Sequence, residues 1–228
     1  TGDIGKGESF HEEIVNMGLQ KDIVLGNALV DMYAKCGFLE KAHKTLKELP
    51  NRNIVTWSAL IAGYVEHGHV KDALRCFDEM TLKGVIPNST TFVCILKACG
   101  STGFVEMGGE IHAKLKNSGF YLEENTVLET ALLDMYAKLS LLLDARYIFE
   151  KLESCDVTSW NTMIKAYGIN QQSEIAISLF KRMREVGVKS DAATFSCFLK
   201  ACSRASLIRE SCEVFRRMVE ENMCTNDH

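Results

Sequence analysis

His11-Glu12-Glu13 carries an H-x-E, the opening of the signature with which zinc-dependent deaminases place a metal ligand beside a general acid–base. That chemistry needs a second half, a P-C-x-x-C supplying two thiolates, and no C-x-x-C occurs anywhere in the 228 residues. His11 is therefore expected on the surface, with no metal and no cofactor. Nine cysteines raise the question of disulfides, but the number is odd. Cys94/Cys99 and Cys197/Cys202 stand at i, i+5, about 500° around a helix and so not stacked on one face. They are expected to be buried thiols of a reducing compartment. No Gly-rich phosphate loop and no nucleophile–base pair can be assembled, so the chain is not expected to be an enzyme.

The elements that would have to position any site are repeated. Asn27-Ala-Leu-Val-Asp-Met-Tyr-Ala-Lys35 returns as Thr130-Ala-Leu-Leu-Asp-Met-Tyr-Ala-Lys138, an offset of 103. The same offset carries Trp57 to Trp160, Tyr64 to Tyr167, Phe77 to Phe180, and Leu96-Lys-Ala-Cys99 to Leu199-Lys-Ala-Cys202. Self-similarity of this length marks a repeat architecture.

The 103-residue unit is composite: residues 23–53, 54–88 and 89–125 are units of 31, 35 and 37 residues. Residues 126–156, 157–191 and 192–228 repeat the three kinds, and residues 1–22 resemble the tail of the 37-residue kind. Each unit holds two amphipathic helical patterns. In the first, Ala28, Leu29, Met32 and Tyr33 make one stripe, Cys36-Gly37 breaks it, and Leu39, Ala42, Leu46 and Leu49 make another. In the second, Leu60, Ile61 and Tyr64 precede a turn at Gly68. Val70, Ala73, Leu74, Phe77 and Met80 then run to a stop at Gly84. The third places Phe92, Ile95, Leu96 and Cys99 before Val105, Ile111 and Leu115. Met32, Tyr33, Phe77 and Met80 are expected in the core. Strand signals are missing, so the fold class is all-α. One hairpin cannot bury its apolar face alone. Stacked hairpins do so together, giving a right-handed α-solenoid with a concave groove lined by the early residues of the first helices.

Composition bounds the rest. There are two prolines and no apolar run near 18 residues, so no membrane-spanning helix is expected. The chain begins at Thr1 without Met or a basic leader, which predicts a piece of a longer protein. A formal net charge of −4 disfavours nonspecific nucleic-acid binding, whose affinity comes from phosphate neutralisation.

Two-helix units of about 35 residues containing "VTWSALIAGY", "NALVDMYAKCG" and "ALRCFDEM…GVIPN" resemble the pentatricopeptide repeat family. The alternation of lengths resembles its P-L-S subclass, making residues 23–53 and 126–156 S-type, 54–88 and 157–191 P-type, and 89–125 and 192–228 L-type, after the C-terminal half of an L-type repeat in 1–22. Tetratricopeptide repeats share the architecture, but their 34-residue period and Trp-Leu-Gly-Tyr signature are not found.

The resemblance implies sequence-specific binding of single-stranded RNA, one base per repeat, read by the fifth and last residues of each motif. Carried over, the pairs are Asn27/Asn53, Ser58/Asn88, Thr130/Asp156 and Asn161/Asp191, with Val93/Asn125 and Ser196/Asp227 in the L-type units. Val93 cannot hydrogen-bond, which makes its unit a poor reader. The family's code then gives, 5′ to 3′, a pyrimidine, A, unspecified, G, U, unspecified. The second residue would sandwich the base: Val24, Val55 and Val127, with Thr90, Thr158 and Ala193 fitting less well. Lys35 and Lys138 would contact phosphate, while Glu66, Ser101, Ile169 and Arg204 occupy the matching places elsewhere.

The family further implies a plant mitochondrial or chloroplast protein recognising targets for C-to-U RNA editing. Its deaminase would come from a missing C-terminal region, and editing-factor proteins would bind its L-type repeats. The rival reading is a helical-repeat scaffold that binds protein partners or peptides in the concave groove.

Overall fold

The computed structural model describes residues 4–118, 126–152, 154–204 and 216. Asn125 and Asp227 lie outside them, as does the second half of the 192–228 unit apart from residue 216. The described residues form twelve α-helices and no strand, the expected all-helical class. In order they are α1 (Ile4–Asn16), α2 (Ile23–Lys35), α3 (Leu39–Glu48), α4 (Ile54–Glu66), α5 (Val70–Leu82), α6 (Ser89–Thr102), α7 (Val105–Asn117), α8 (Thr126–Lys138), α9 (Leu142–Lys151), α10 (Val157–Ile169), α11 (Ser173–Glu185) and α12 (Ala192–Arg204).

The chain divides into two compact units, Thr1–Ala131 and Leu132–His228, with the division falling inside α8. In the first unit α2/α3, α4/α5 and α6/α7 are antiparallel hairpins, and the leading helices α2, α4 and α6 pack side by side. In the second, α10 packs on α9, α11 and α12.

The two kinds of helix start differently. Asp22, Asn53, Asn88 and Asp156 cap α2, α4, α6 and α10 with side-chain oxygens, and none of these helices has an acid in its first turn. The second helices of the hairpins have no side-chain cap. Instead Glu40, Asp72, Glu106, Asp144 and Glu174 stand in their first turns, where a negative charge meets the positive end of the helix dipole.

The turns between paired helices are left-handed caps. After α2, Gly37 (φ 82°) donates to Ala34 O and Phe38 donates to Tyr33 O, the doubly bonded cap that favours glycine. Its counterpart after α8 is Ser140, at φ 59° with the same two bonds. Gly68 (φ 78°) likewise becomes Gln171 at φ 61°. The fold keeps the turn where the residue type disfavours it.

The core follows the stripes with three corrections. On α2 the buried face is Gly26, Leu29, Val30, Tyr33 and Ala34. Ala28 is exposed, because Val30 and Ala34 turn inward; a methyl on Gly63 of α4 would lie 2.5 Å from that of Ala34. Met32 is only half-buried, lying over Gly7 of α1, while Tyr33, Phe77 and Met80 are in the core as expected. Val105, at the first position of α7, is exposed. His11 is not a free surface group either. It is half-buried, with Nδ1 2.9 Å from the Tyr33 hydroxyl, and His43 makes the matching 3.1 Å contact to Tyr64. Each pair ties the second helix of one hairpin to the first helix of the next.

Of the seven cysteines described, Cys76, Cys99 and Cys202 are buried, whereas Cys36, Cys94, Cys155 and Cys197 are half-buried; none is in a disulfide. Burial pushes the Cys76 thiol up to about 12 and the Cys99 thiol up to about 11. No group of three or more metal-ligating side chains occurs among the described residues, and no described helix is long and apolar enough to cross a membrane.

Candidate nucleic-acid interface

Asn27, Ser58, Thr130 and Asn161 each occupy the fifth position of a leading helix, α2, α4, α8 and α10. Val24, Val55 and Val127 occupy the second position of α2, α4 and α8. Second and fifth residues are three apart and share a helix face. Those valines are 70%, 55% and 63% exposed, so they are apolar groups held in solvent at helix starts rather than core residues. Thr90, Thr158 and Ala193, at the second positions of α6, α10 and α12, are exposed too.

Asn53, Asn88, Asp156 and Asp191 sit immediately before α4, α6, α10 and α12. Each accepts the backbone N–H three residues on through Oδ1: from Thr56 at 3.0 Å, Thr91 at 2.9 Å, Ser159 at 2.8 Å and Thr194 at 2.7 Å. The first three hold extended backbone with ψ of 171–178°, the usual cap geometry. Capping turns Oδ1 toward the helix and leaves one terminal atom facing away. In Asn53 and Asn88 it is Nδ2, a donor. In Asp156 and Asp191 it is Oδ2, an acceptor. The hydrogen bonds to Asp191, the Thr194 backbone N–H first among them, hold its carboxyl below the ordinary carboxylate value, so it is charged at neutral pH.

The structure brings the fifth and last residues together within each compact unit. Asn161 Nδ2 donates to Asp191 Oδ1 at 3.1 Å. Asn27 and Asn53 both receive the Thr56 hydroxyl. Ser58 meets the Thr91 hydroxyl at 2.8 Å, and Thr91 Oγ1 donates to Asn88 at 2.8 Å. Thr130 instead donates to Thr126 O of its own helix at 2.7 Å. The Asn161 Oδ1 is buried with no hydrogen-bond partner, and its nitrogen keeps a second N–H beyond the one given to Asp191.

Lys35 and Lys138 close α2 and α8, where each pairs with an aspartate one turn back, Asp31 and Asp134, both at 2.7 Å. Arg204 is used inside the fold, donating to the Gly168 and Ile169 carbonyls at the end of α10.

Two features are missed by sequence reading. Asp22 caps α2 just as Asn53 caps α4. The hydroxyls of Thr56, Thr91, Ser159 and Thr194 are buried and bonded to the caps. Their signal was available as N/D-x-x-T/S at 53–56, 88–91, 156–159 and 191–194; at 22–25 the last place is Leu25.

Comparison with known proteins identifies the repeat. The PPR repeat family model matches residues 52–101 and 155–204, and the PPR repeat model matches 27–54, 130–157 and 193–223. A putative mitochondrial pentatricopeptide repeat-containing protein of Arabidopsis thaliana is 33% identical over 94% of the chain and 34% of its own length. A chloroplastic one from the same plant is 33% identical over 99% of the chain and 30% of its own length. The chain thus spans about a third of these curated relatives. The crystal structure of the pentatricopeptide repeat protein PPR10 in complex with an 18-nucleotide psaJ RNA element matches 99% of the chain and 33% of its own. The TM-score is 0.80 at 20% identity, a likeness of fold in the α-solenoid class. Nuclear proteinaceous RNase P 2 of A. thaliana matches 74% of the chain and 38% of its own at TM-score 0.54 and 14% identity. With the family models covering well over half of its residues, the chain belongs to the pentatricopeptide repeat family.

Proposed function

We propose that the chain binds single-stranded RNA sequence-specifically, one base per repeat, with Asn27/Asn53, Ser58/Asn88, Thr130/Asp156 and Asn161/Asp191 as the reading pairs. The observation that carries this is the capping geometry, because it fixes which atom each last residue offers. Asp offers an acceptor and suits the bases with an N–H at the centre of the Watson–Crick edge, guanine and uracil. Asn offers a donor and suits those with a lone pair there, adenine and cytosine.

The fifth residues supply the second contact. Asn161 offers its nitrogen beside the Asp191 acceptor, and donor plus acceptor complements the O4 and N3–H of uracil. Thr130/Asp156 keep the guanine reading, in which the Asp156 carboxylate accepts from guanine's N–H groups; the Thr130 proton goes to Thr126 O. The Thr91 proton goes to Asn88, so Ser58 donates inward and offers lone pairs. Acceptor plus donor complements adenine's N6 amino group and N1. Asn27/Asn53 keep the pyrimidine reading. The exposed Val24, Val55 and Val127 lie one turn before these groups, where they would pack on a base face.

The unit boundaries given above, with alternating S, P and L lengths, support a P-L-S arrangement. We place the chain in the target-recognition part of an organellar C-to-U editing factor, with the deaminase supplied from outside these residues. PPR10 was crystallised with an RNA element, and relatives are named mitochondrial or chloroplastic, which supports RNA as ligand and either organelle as location.

Selection of RNAs from a random pool tests the binding role. Enrichment of pyrimidine-A-x-G-U is expected; an unenriched pool would refute it and favour a protein-binding scaffold. Sequencing organellar transcripts from plants lacking the gene tests the editing role. Loss of C-to-U conversion at a matching site is expected, and altered transcript ends or splicing with editing intact would refute it.

A further inference from the structure

The strongest feature outside the reading pairs is the buried hydroxyl at the third position of α4, α6 and α12. Thr56, Thr91 and Thr194 are fully buried, so none can touch a base. Each is nevertheless bonded to the residue that caps its helix, at 2.9, 2.8 and 2.8 Å. Each hydroxyl also lies at the junction of a fifth residue and a last residue. Thr56 stands between Asn27 and Asn53, and Thr91 between Ser58 and Asn88. Thr194 donates to the carboxylate oxygen that receives Asn161.

We propose that this hydroxyl is a positioning residue for base recognition, so that the base read by one repeat is set in part by the first helix of the next. The inference rests on the RNA-reading function proposed above.

Proton direction is the physical content. A hydroxyl carries one proton and two lone pairs. Asn88 Oδ1 already takes the Thr91 backbone N–H and the Thr91 hydroxyl proton. The Thr91 oxygen can then only accept from Ser58. The Ser58 proton is held inward, and Ser58 meets the base as an acceptor alone. An acceptor there matches adenine's amino group and opposes guanine's O6. Without the Thr91 hydroxyl, Ser58 is free to rotate and donate outward, and O6 is no longer opposed. In the Asn27/Asn53 pair the single Thr56 proton is shared between two amide oxygens, so its removal unlocks Asn27, while the Thr56 backbone N–H still holds Asn53.

The test is Thr91→Val, which keeps the shape and the Asn88 backbone cap while deleting the hydroxyl. Binding is measured by competition between RNAs differing only in A or G at the base assigned to Ser58/Asn88. The wild-type chain is expected to prefer A. In Thr91→Val the A:G ratio should fall about three- to ten-fold, the size of one hydrogen bond, and Thr91→Ser should restore it. Equal weakening for both RNAs, with the ratio intact, would make the hydroxyl purely structural and overturn the proposal. Thr56→Val, read at the base assigned to Asn27/Asn53, gives an independent arm should Thr91→Val fail to fold, and an unchanged ratio there would also refute it. A wild-type chain with no preference at either base would refute the RNA-reading function itself, a result distinct from loss of the relay.

Discussion

Asp191→Asn isolates the last-residue readout with little disturbance of the fold. Asp191 Oδ1 serves Thr194 N–H at 2.7 Å, the Thr194 hydroxyl at 2.8 Å and Asn161 Nδ2 at 3.1 Å; an amide oxygen, with two lone pairs, keeps the two Thr194 bonds that cap the helix and loosens the longer one to Asn161. Asn and Asp rank together as helix caps, so stability should change little. What changes is the outward atom, from a carboxylate oxygen to an NH₂. A hydrogen bond to a charged acceptor contributes about 1.5–3 kcal/mol, and base readout contacts discriminate by about 1–3 kcal/mol. Asn161 would still offer a donor, now toward cytosine's amino group, so the swing belongs at the lower end. The U:C affinity ratio at this repeat should fall about ten-fold, to parity or beyond. Fluorescence anisotropy competition with two RNAs differing at that base measures it. Equal ratios for wild type and mutant would show that the Asp191 carboxylate serves only as a cap, and the readout argument would fail. The pH dependence has a matching sign. The folded carboxyl lies below its ordinary 3.8, so its contribution to stability is present above 3.8 and is lost only as pH falls through the lower folded value. The wild-type U:C ratio should be flat from neutral pH down to that window.

Asn161→Thr should move the same repeat's preference from U towards G, by about 1–3 kcal/mol in discrimination; competition binding that ranks the two RNAs alike would remove Asn161 from the reading pair. Gln171→Gly should stabilise the chain by roughly 0.5–1 kcal/mol in urea denaturation, because relief of a left-handed non-glycine residue at φ 61° exceeds the added unfolded-state entropy. Lys35 and Lys138 are already paired with Asp31 and Asp134 and the chain carries −4 overall, so the salt dependence of RNA binding should correspond to roughly two to four ion contacts. A steeper slope would reveal a basic groove. Thiol-reactive dye at neutral pH should leave Cys76 and Cys99 unlabelled in the folded state, since burial holds both as thiols; rapid labelling of either would show that its helix opens.

What the sequence made legible was whatever repeats within one helix turn. The stripes of α3, α4, α5 and α6 came through because their apolar residues recur at three and four. The α2 face slipped because Ala28, Val30 and Ala34 are all apolar, and the close approach of Gly63 to Ala34 comes from the next hairpin. Ser140 and Gln171 hide two left-handed caps, because the turn is held by backbone bonds, Leu141 to Tyr136 O and Gln172 to Tyr167 O, and not by a glycine. The buried hydroxyls were missed for a different reason. Thr91 is an ordinary helix residue until its partner Ser58, 33 positions earlier, is brought to 2.8 Å. His11 similarly acquires its role only from Tyr33, on the next helix.

The chemistry of the last position has a structural origin in the double duty of Asn and Asp. A serine at the same place could cap the helix, but its single oxygen is held at the cap and its rotating proton fixes neither a donor nor an acceptor toward a base. The planar, two-headed end of Asn or Asp points one atom at the helix and the other away from it. The helix then fixes the orientation of the reader, and amide or carboxylate decides whether that reader donates or accepts. Asp22 caps its helix without such a hydroxyl: it holds Val24 and Leu25 N–H at 2.9 Å, and Leu25 stands where Thr56, Thr91 and Thr194 stand in the other repeats. A repeat of this kind is therefore defined less by its own two helices than by the first turn of the helix that follows it.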